Sequence, residues 1–191
     1  MTDQMVRTSA DPDLLERVAE AVEHAAAMLE PVTPAWVPHV SAKVSADGDP
    51  HGYFPFSPMI GQWNPLAPPI DLVVHDGIVT GEGTLGAAYE GPPGCVHGGV
   101  IAALFDELLG VANIAAGQGA MTGTLTIRYR RPTPLQQELQ FAARTVNVEG
   151  RKVFATGEIR HGGEVTAEAE GIFIDVPPSK FTALADQHPG S

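Results

Sequence analysis

The residues best placed to do chemistry lie in one stretch, Val96-His97-Gly98-Gly99-Val100-Ile101-Ala102-Ala103-Leu104-Phe105-Asp106-Glu107. A glycine pair opens what reads as a long apolar helix, and a carboxylate stands inside it. The first turn of a helix carries backbone N–H groups without internal partners, and the helix dipole adds partial positive charge there. Glycines at that end let a substrate carbonyl approach the bare amides, as an oxyanion site requires. Asp106 follows Gly99 by seven residues, close to two helical turns, so its carboxylate falls on the same side and leans toward the N-terminus. An acid or base facing an oxyanion site is the minimal equipment for acyl transfer.

Packing alone accounts poorly for this pattern. From Val100 to Ala116 the chain is apolar almost all round, the signature of a buried helix. Asp106 interrupts it, and a buried carboxylate is costly without a partner or a task. Glu107 is expected to be partly exposed or ion-paired. Cys95 adjoins the motif but precedes the glycines and has no evident base, so it reads as a half-buried bystander rather than a nucleophile.

The elements that must hold these groups follow from the flanking sequence. Residues 1–10 lack an apolar pattern and are expected to be disordered. Asp11-Pro12 followed by Leu14, Leu15, Val18, Val22, Ala25 and Leu29 reads as an amphipathic helix, capped by Asp11 and stopped by Pro31. Its apolar stripe should lie on the main domain or on a partner subunit. Residues 31–69 are rich in Pro and Gly, with Trp36, Tyr53, Phe54, Phe56 and Trp63 interspersed, and read as an irregular wrap packing its aromatics onto the domain. From residue 70 strands dominate. Ile70, Leu72 and Val74 alternate up to an Asp76-Gly77 hairpin turn, and Ile78–Tyr89 returns. The helix runs from about Gly98 to Ala116 and ends at Gly117. Four strands follow: Thr122–Arg131, Glu138–Val148, Lys152–Arg160 and Glu164–Val176. Leu125, Ile127 and Tyr129 alternate with Thr124, Thr126 and Arg128, giving the first of these one apolar face. An antiparallel sheet curled around a single buried helix satisfies the order.

Composition narrows the function classes. A chain of 191 residues fits one domain with an appendage. No uninterrupted apolar run suggests a membrane span, and the N-terminus lacks the order of a secretory signal. One cysteine excludes an internal disulfide framework and fits a reducing cytoplasm. No His/Cys set has zinc spacing, so neither metal nor cofactor is expected. The net charge of −12 argues against nucleic acid. Ser45 to Ile127 contains no Lys or Arg, whereas seven of the eleven basic residues fall between Arg128 and Arg160. That cluster could hold one small polyanion or form a solvated sheet rim.

Gly94-Cys95-Val96-His97-Gly98-Gly99, Asp106, Met121-Thr122, Tyr129-Arg130-Arg131-Pro132-Thr133-Pro134-Leu135 and Val148-Glu149-Gly150-Arg151-Lys152 together resemble the hotdog-fold acyl-CoA thioesterases, in particular their phenylacetate-pathway (PaaI-like) branch. The resemblance covers about residues 70–176. It implies an α+β hotdog fold, a six-stranded antiparallel sheet around one central helix. Residues 1–69 would form the N-terminal helix and wrap, 70–178 the thioesterase domain, and 179–191 a flexible tail. It implies Asp106 as general base or nucleophile, the Gly98 amide polarising the thioester carbonyl with Gly99 close by, and His97 and Thr122 assisting. Thr122 could equally be a plain strand residue whose hydroxyl serves the backbone. It implies acyl-CoA as substrate and a homodimer or homotetramer with sites at the subunit interface, Asp106 coming from one chain and His97 or Thr122 from its neighbour. Arg130, Arg131, Arg151 and Lys152 become candidates for the CoA phosphates.

Acyl-CoA hydrolysis is the reading these residues favour. A hydratase or dehydratase of the same fold would carry a His shortly after the helix Asp, where this chain has none. A non-catalytic acyl-CoA sensor acting in transcription would need a basic appendage, and residues 1–69 offer only Arg7, Arg17 and Lys43.

Overall fold

The computed structural model describes residues 2–33 and 49–177; Trp36 and the expected tail from 179 lie outside the described residues. The elements run α1 (Thr2–Arg7), α2 (Pro12–Leu29), β1 (Ile70–His75), β2 (Ile78–Thr84), α3 (Gly98–Ala115), β3 (Ala120–Tyr129), β4 (Glu138–Glu149), β5 (Lys152–His161) and β6 (Glu164–Asp175). The strands form one antiparallel sheet in the order β1-β2-β4-β5-β6-β3, which leaves β1 and β3 as edges. Asp76 (φ 50°) and Gly77 (φ 71°) make the tight β1–β2 turn, both in the left-handed region that a two-residue hairpin demands.

α3 is the core helix. Ile101, Leu104, Phe105, Leu108 and Ala112 recur at i, i+3, i+4 spacing and are buried against β2 to β6. Gly117 (φ 75°) ends it, with Gly117 N–H donating to the Ile114 carbonyl and Gln118 N–H to that of Asn113, each at 2.8 Å. By length and hydropathy alone α3 could cross a membrane, contrary to the sequence reading; here the sheet curls around it.

Two further expectations need correction, for residues 2–7 and for the wrap. Residues 2–7 are helical rather than disordered, because α1 finds a surface at the turn Ala87–Tyr89. α2 forms as expected, with the Asp11 carboxylate accepting the Leu14 N–H at 2.8 Å, yet none of its described residues is buried. Its stripe is not covered by the described part of the chain. The wrap is ordered over 49–69, but its aromatics are not uniformly packed. Phe54 rests on the core, whereas Phe56 and Trp63 are 41% and 68% exposed.

What fixes the wrap is polar as much as apolar. His51 Nε2 accepts the N–H of Leu72 on edge strand β1 at 3.2 Å, while its Nδ1–H meets the Ile60 carbonyl. Pro50 and Ile60 are buried beneath it. Gly61 permits the tight turn, since a Cβ there would sit 2.4 Å from Ser57 N.

Candidate active site

His97 caps α3. Its Nδ1 accepts the Gly99 N–H at 2.9 Å, so that amide is already engaged. The loop delivering His97 is pinned from both sides: His97 N–H donates to the Tyr89 carbonyl at 2.8 Å and Val96 N–H to that of Thr133 at 2.9 Å. Gly91 is required there, because a Cβ would lie 2.7 Å from His97 Cα. Gly98 N–H, by contrast, has no acceptor among the described residues. The Gly98 carbonyl accepts the Tyr129 hydroxyl at 2.8 Å, which ties the first turn of α3 to the far end of β3. Tyr129 is absent from the candidate residues the sequence offers, although its place on the apolar face of its strand already aims it at the helix.

Asp106 is exposed, not buried. It lies on a stripe of α3 that the sheet leaves uncovered, with Gly99 also exposed and Ala103, Gly110 and Ile114 half-buried. The Thr122 hydroxyl donates to Asp106 Oδ1 at 2.6 Å, which fixes the carboxylate and leaves its second oxygen for another partner. A bulge makes this contact possible. Thr122 pairs with Phe173 and Thr124 with Ile172, leaving Gly123 unpaired. Strict alternation would put Thr122 on the face opposite Leu125 and Ile127; the extra residue turns it back toward α3.

The free Gly98 amide and the Asp106 carboxylate are far apart within one chain. Gly98 and Asp106 are separated by about 12 Å along the helix axis. A reacting carbonyl must lie about 3 Å from its oxyanion donor and within one water of the base. Within one chain the two groups therefore do not reach a single reacting carbonyl.

Glu107 is partly exposed, as expected, and pairs with no cation among the described residues. The wrap folds over it, and the Ser57 hydroxyl donates to it while Ser57 Oγ accepts the N–H groups of Met59 and Ile60. Burial pushes its carboxyl above the ordinary value, the Ser57 bond opposes this, and the charge of Asp106 adds to the rise. A carboxyl raised in the folded state contributes stability present below its unfolded pKa of about 4.5 and lost as pH rises through the folded value. At pH 7, above the ordinary carboxyl range, Glu107 therefore lowers stability. Glu107→Gln keeps an acceptor for Ser57, so its melting temperature should exceed that of the parent at pH 7 and match it below about pH 4. A difference independent of pH would contradict this account of Glu107.

The basic residues do not form one patch. Arg130 pairs with Glu168 and Arg131 with Glu164, near the β5–β6 turn, while Arg128 reaches Glu170 at 2.8 Å. The Arg130 guanidinium holds the Glu168 carboxyl below its usual range. Arg151 donates to the Asp175 carbonyl at the opposite end of the sheet, beside Lys152. The two groups are on the order of 30 Å apart along β5. Cys95 is half-buried.

The profile of the thioesterase superfamily matches residues 93–168. A solved structure described as a thioesterase superfamily protein is 41% identical and superposes with a TM-score of 0.79, over 91% of this chain and 84% of that one. This chain belongs to the thioesterase superfamily. The acyl-coenzyme A thioesterase THEM4 of Xenopus laevis is 37% identical over 95 residues, which are 49% of this chain and 43% of that protein. The superfamily member thus spans less than half the length of the curated relatives it matches. The E. coli PaaI protein from the phenylacetic acid degradation operon shares the fold, with a TM-score of 0.52 at 21% identity over 56% of this chain and 80% of that one.

Proposed function

We propose that the protein hydrolyses acyl-CoA thioesters at sites assembled from two copies of the chain. The observation that carries the reading is Asp106, held by Thr122 on an uncovered stripe of α3 whose N-terminus offers the free Gly98 amide. Asp106 takes a proton from water as the water oxygen attacks the thioester carbonyl. The carbonyl oxygen, becoming an oxyanion, accepts the Gly98 N–H. Collapse of the tetrahedral intermediate breaks the C–S bond, and the proton on Asp106 goes to the departing thiolate. His97 contributes by capping the helix, which keeps Gly99 engaged and Gly98 available. General-base assistance supplies about 10²–10⁴-fold and one oxyanion donor about 10²–10³-fold.

Assembly follows from the edge strand. β3 is paired only with β6, its outer side is exposed, and its two ends carry different half-sites: Thr122 with Asp106 at one, Tyr129 with Gly98 at the other. Two β3 strands paired antiparallel about a twofold axis set the Thr122 end of one copy against the Tyr129 end of the other. This covers an edge that would otherwise be open and brings carboxylate and amide together. It also gathers the separated basic residues. Lys152 and Met121 both face Ile174, so Arg151 and Lys152 share the Thr122 end, whereas Arg130 and Arg131 follow Tyr129. All four would border the same composite site, where CoA phosphates can displace the exposed and weakly held carboxylate partners of Arg130 and Arg131.

The homology to acyl-coenzyme A thioesterases supports CoA as the carrier, and the single cysteine fits a cytoplasmic setting. Thiol release from a series of acyl-CoAs tests the reading. Turnover without added metal or cofactor is expected; acyl-CoA binding without thiol release would point to the sensor alternative.

A further inference from the structure

Beside Asp106 lies a cavity of about 910 Å³, at the upper end of the range for pockets that take drug-sized ligands. Phe54, Phe56 and Pro58 of the wrap form one wall, and Val111 and Ile114 of α3 another. The lining is mainly apolar, and its charged residues are the carboxylates Asp106 and Glu107; no Lys or Arg of the described residues lines it. Gly110 lies on the helix side of the same cavity. A glycine inside a helix costs stability relative to any ordinary residue, so its presence asks for a reason. Gly110 has no close neighbour to accommodate: a Cβ built there meets nothing within 4 Å. What a side chain at 110 would occupy is the cavity.

We infer that this cavity receives the acyl group of the thioester, that the preferred acyl group is bulky, apolar and uncharged, and that Gly110 sets the size it can reach. The inference rests on the hydrolase reading above and deepens it. Asp106 lines the cavity, so a thioester carbonyl at that carboxylate directs its acyl chain along α3 beneath Phe54 and Phe56. Each methylene buried there should raise kcat/KM about threefold to fourfold until the chain meets the wall. An acyl group ending in a carboxylate would bring a third carboxyl group beside Asp106 and Glu107, into a space that offers no cation.

The test compares butyryl-, pentanoyl-, dodecanoyl- and glutaryl-CoA on the full chain and on Gly110→Leu, together with calorimetric binding of CoA and of the non-hydrolysable dodecyl-CoA thioether. For the parent, dodecanoyl-CoA should exceed butyryl-CoA in kcat/KM by at least about a hundredfold. Glutaryl-CoA should fall at least about tenfold below pentanoyl-CoA. Gly110→Leu should melt no lower than the parent, as a helix interior prefers Leu. It should reduce dodecanoyl-CoA turnover at least about tenfold, move the optimum to shorter chains and weaken thioether binding in step. A Gly110→Leu profile with the parent's chain-length preference would overturn the inference. So would a thioether that binds no tighter than CoA, or a change of oligomeric mass in Gly110→Leu without a change of profile. Tight, Gly110-dependent thioether binding without hydrolysis of any substrate would uphold the acyl cavity and sink the hydrolase reading instead.

Discussion

Asp106→Asn should lower kcat about 10²–10⁴-fold while the protein stays folded and continues to bind acyl-CoA. Asn is nearly isosteric, and its side-chain carbonyl can still accept the Thr122 hydroxyl that holds Asp106 at 2.6 Å. What it lacks is the capacity to take a proton from water. Asp106 is exposed on α3 rather than set in the core, so exchanging its charge leaves the packing around Phe105 and Leu108 intact. Melting temperature and acyl-CoA affinity should therefore stay close to the parent while thiol release collapses. A folded Asn variant with near-parental turnover would remove Asp106 from the mechanism.

Gly98→Pro deletes the amide proposed to hold the oxyanion and spares the helix. Gly98 is the first helical residue, the position that proline favours, where a missing N–H breaks no intrahelical bond. His97 before it has φ −61° and ψ 132°, extended backbone of the kind a following proline requires. A Cβ at Gly98 comes no nearer than 3.5 Å to Tyr129, an ordinary contact. The expected loss is about 10²–10³-fold in kcat, the worth of one oxyanion donor. Gly98→Ala, which keeps the N–H, should lose far less. Equal losses in the two variants would mean that steric fit at Gly98, rather than its amide, limits the reaction.

Much of this molecule can be read from local pattern. The alternation of Ile70, Leu72 and Val74, the Asp76-Gly77 turn and the Gly117 cap are short-range signals, and each sits where its residues imply. Composition says that α3 is apolar all round, not which side the sheet leaves bare, so it implies a buried Asp106 where the structure has an exposed one. That depends on how far six strands can wrap one helix. Resemblance points to Thr122 but not to the bulge that aims it; Gly123, an isolated glycine within a strand, is the signal that marks it. Tyr129 could have been paired with the helix from the parity it shares with Leu125 and Ile127. The Ser57–Glu107 bond joins the wrap to α3 across fifty residues of sequence, and no spacing rule reaches that far. The same limit applied to the arginines. Arg130-Arg131 and Arg151-Lys152 are near in sequence yet stand at opposite ends of β5 and β6.

In the proposed mechanism a thioester is cleaved between Gly98 of one copy and Asp106 of another. Asp106→Asn and Gly98→Pro chains, each nearly inactive alone, can be co-expressed with different tags and the mixed dimer isolated. In that dimer one site combines an intact Gly98 with an intact Asp106, and the other combines both defects. Thiol release per dimer should recover to about half of the parent value, as twofold sharing of sites requires. Activity no higher than the average of the two inactive parents would mean that the two residues do not act in one shared site.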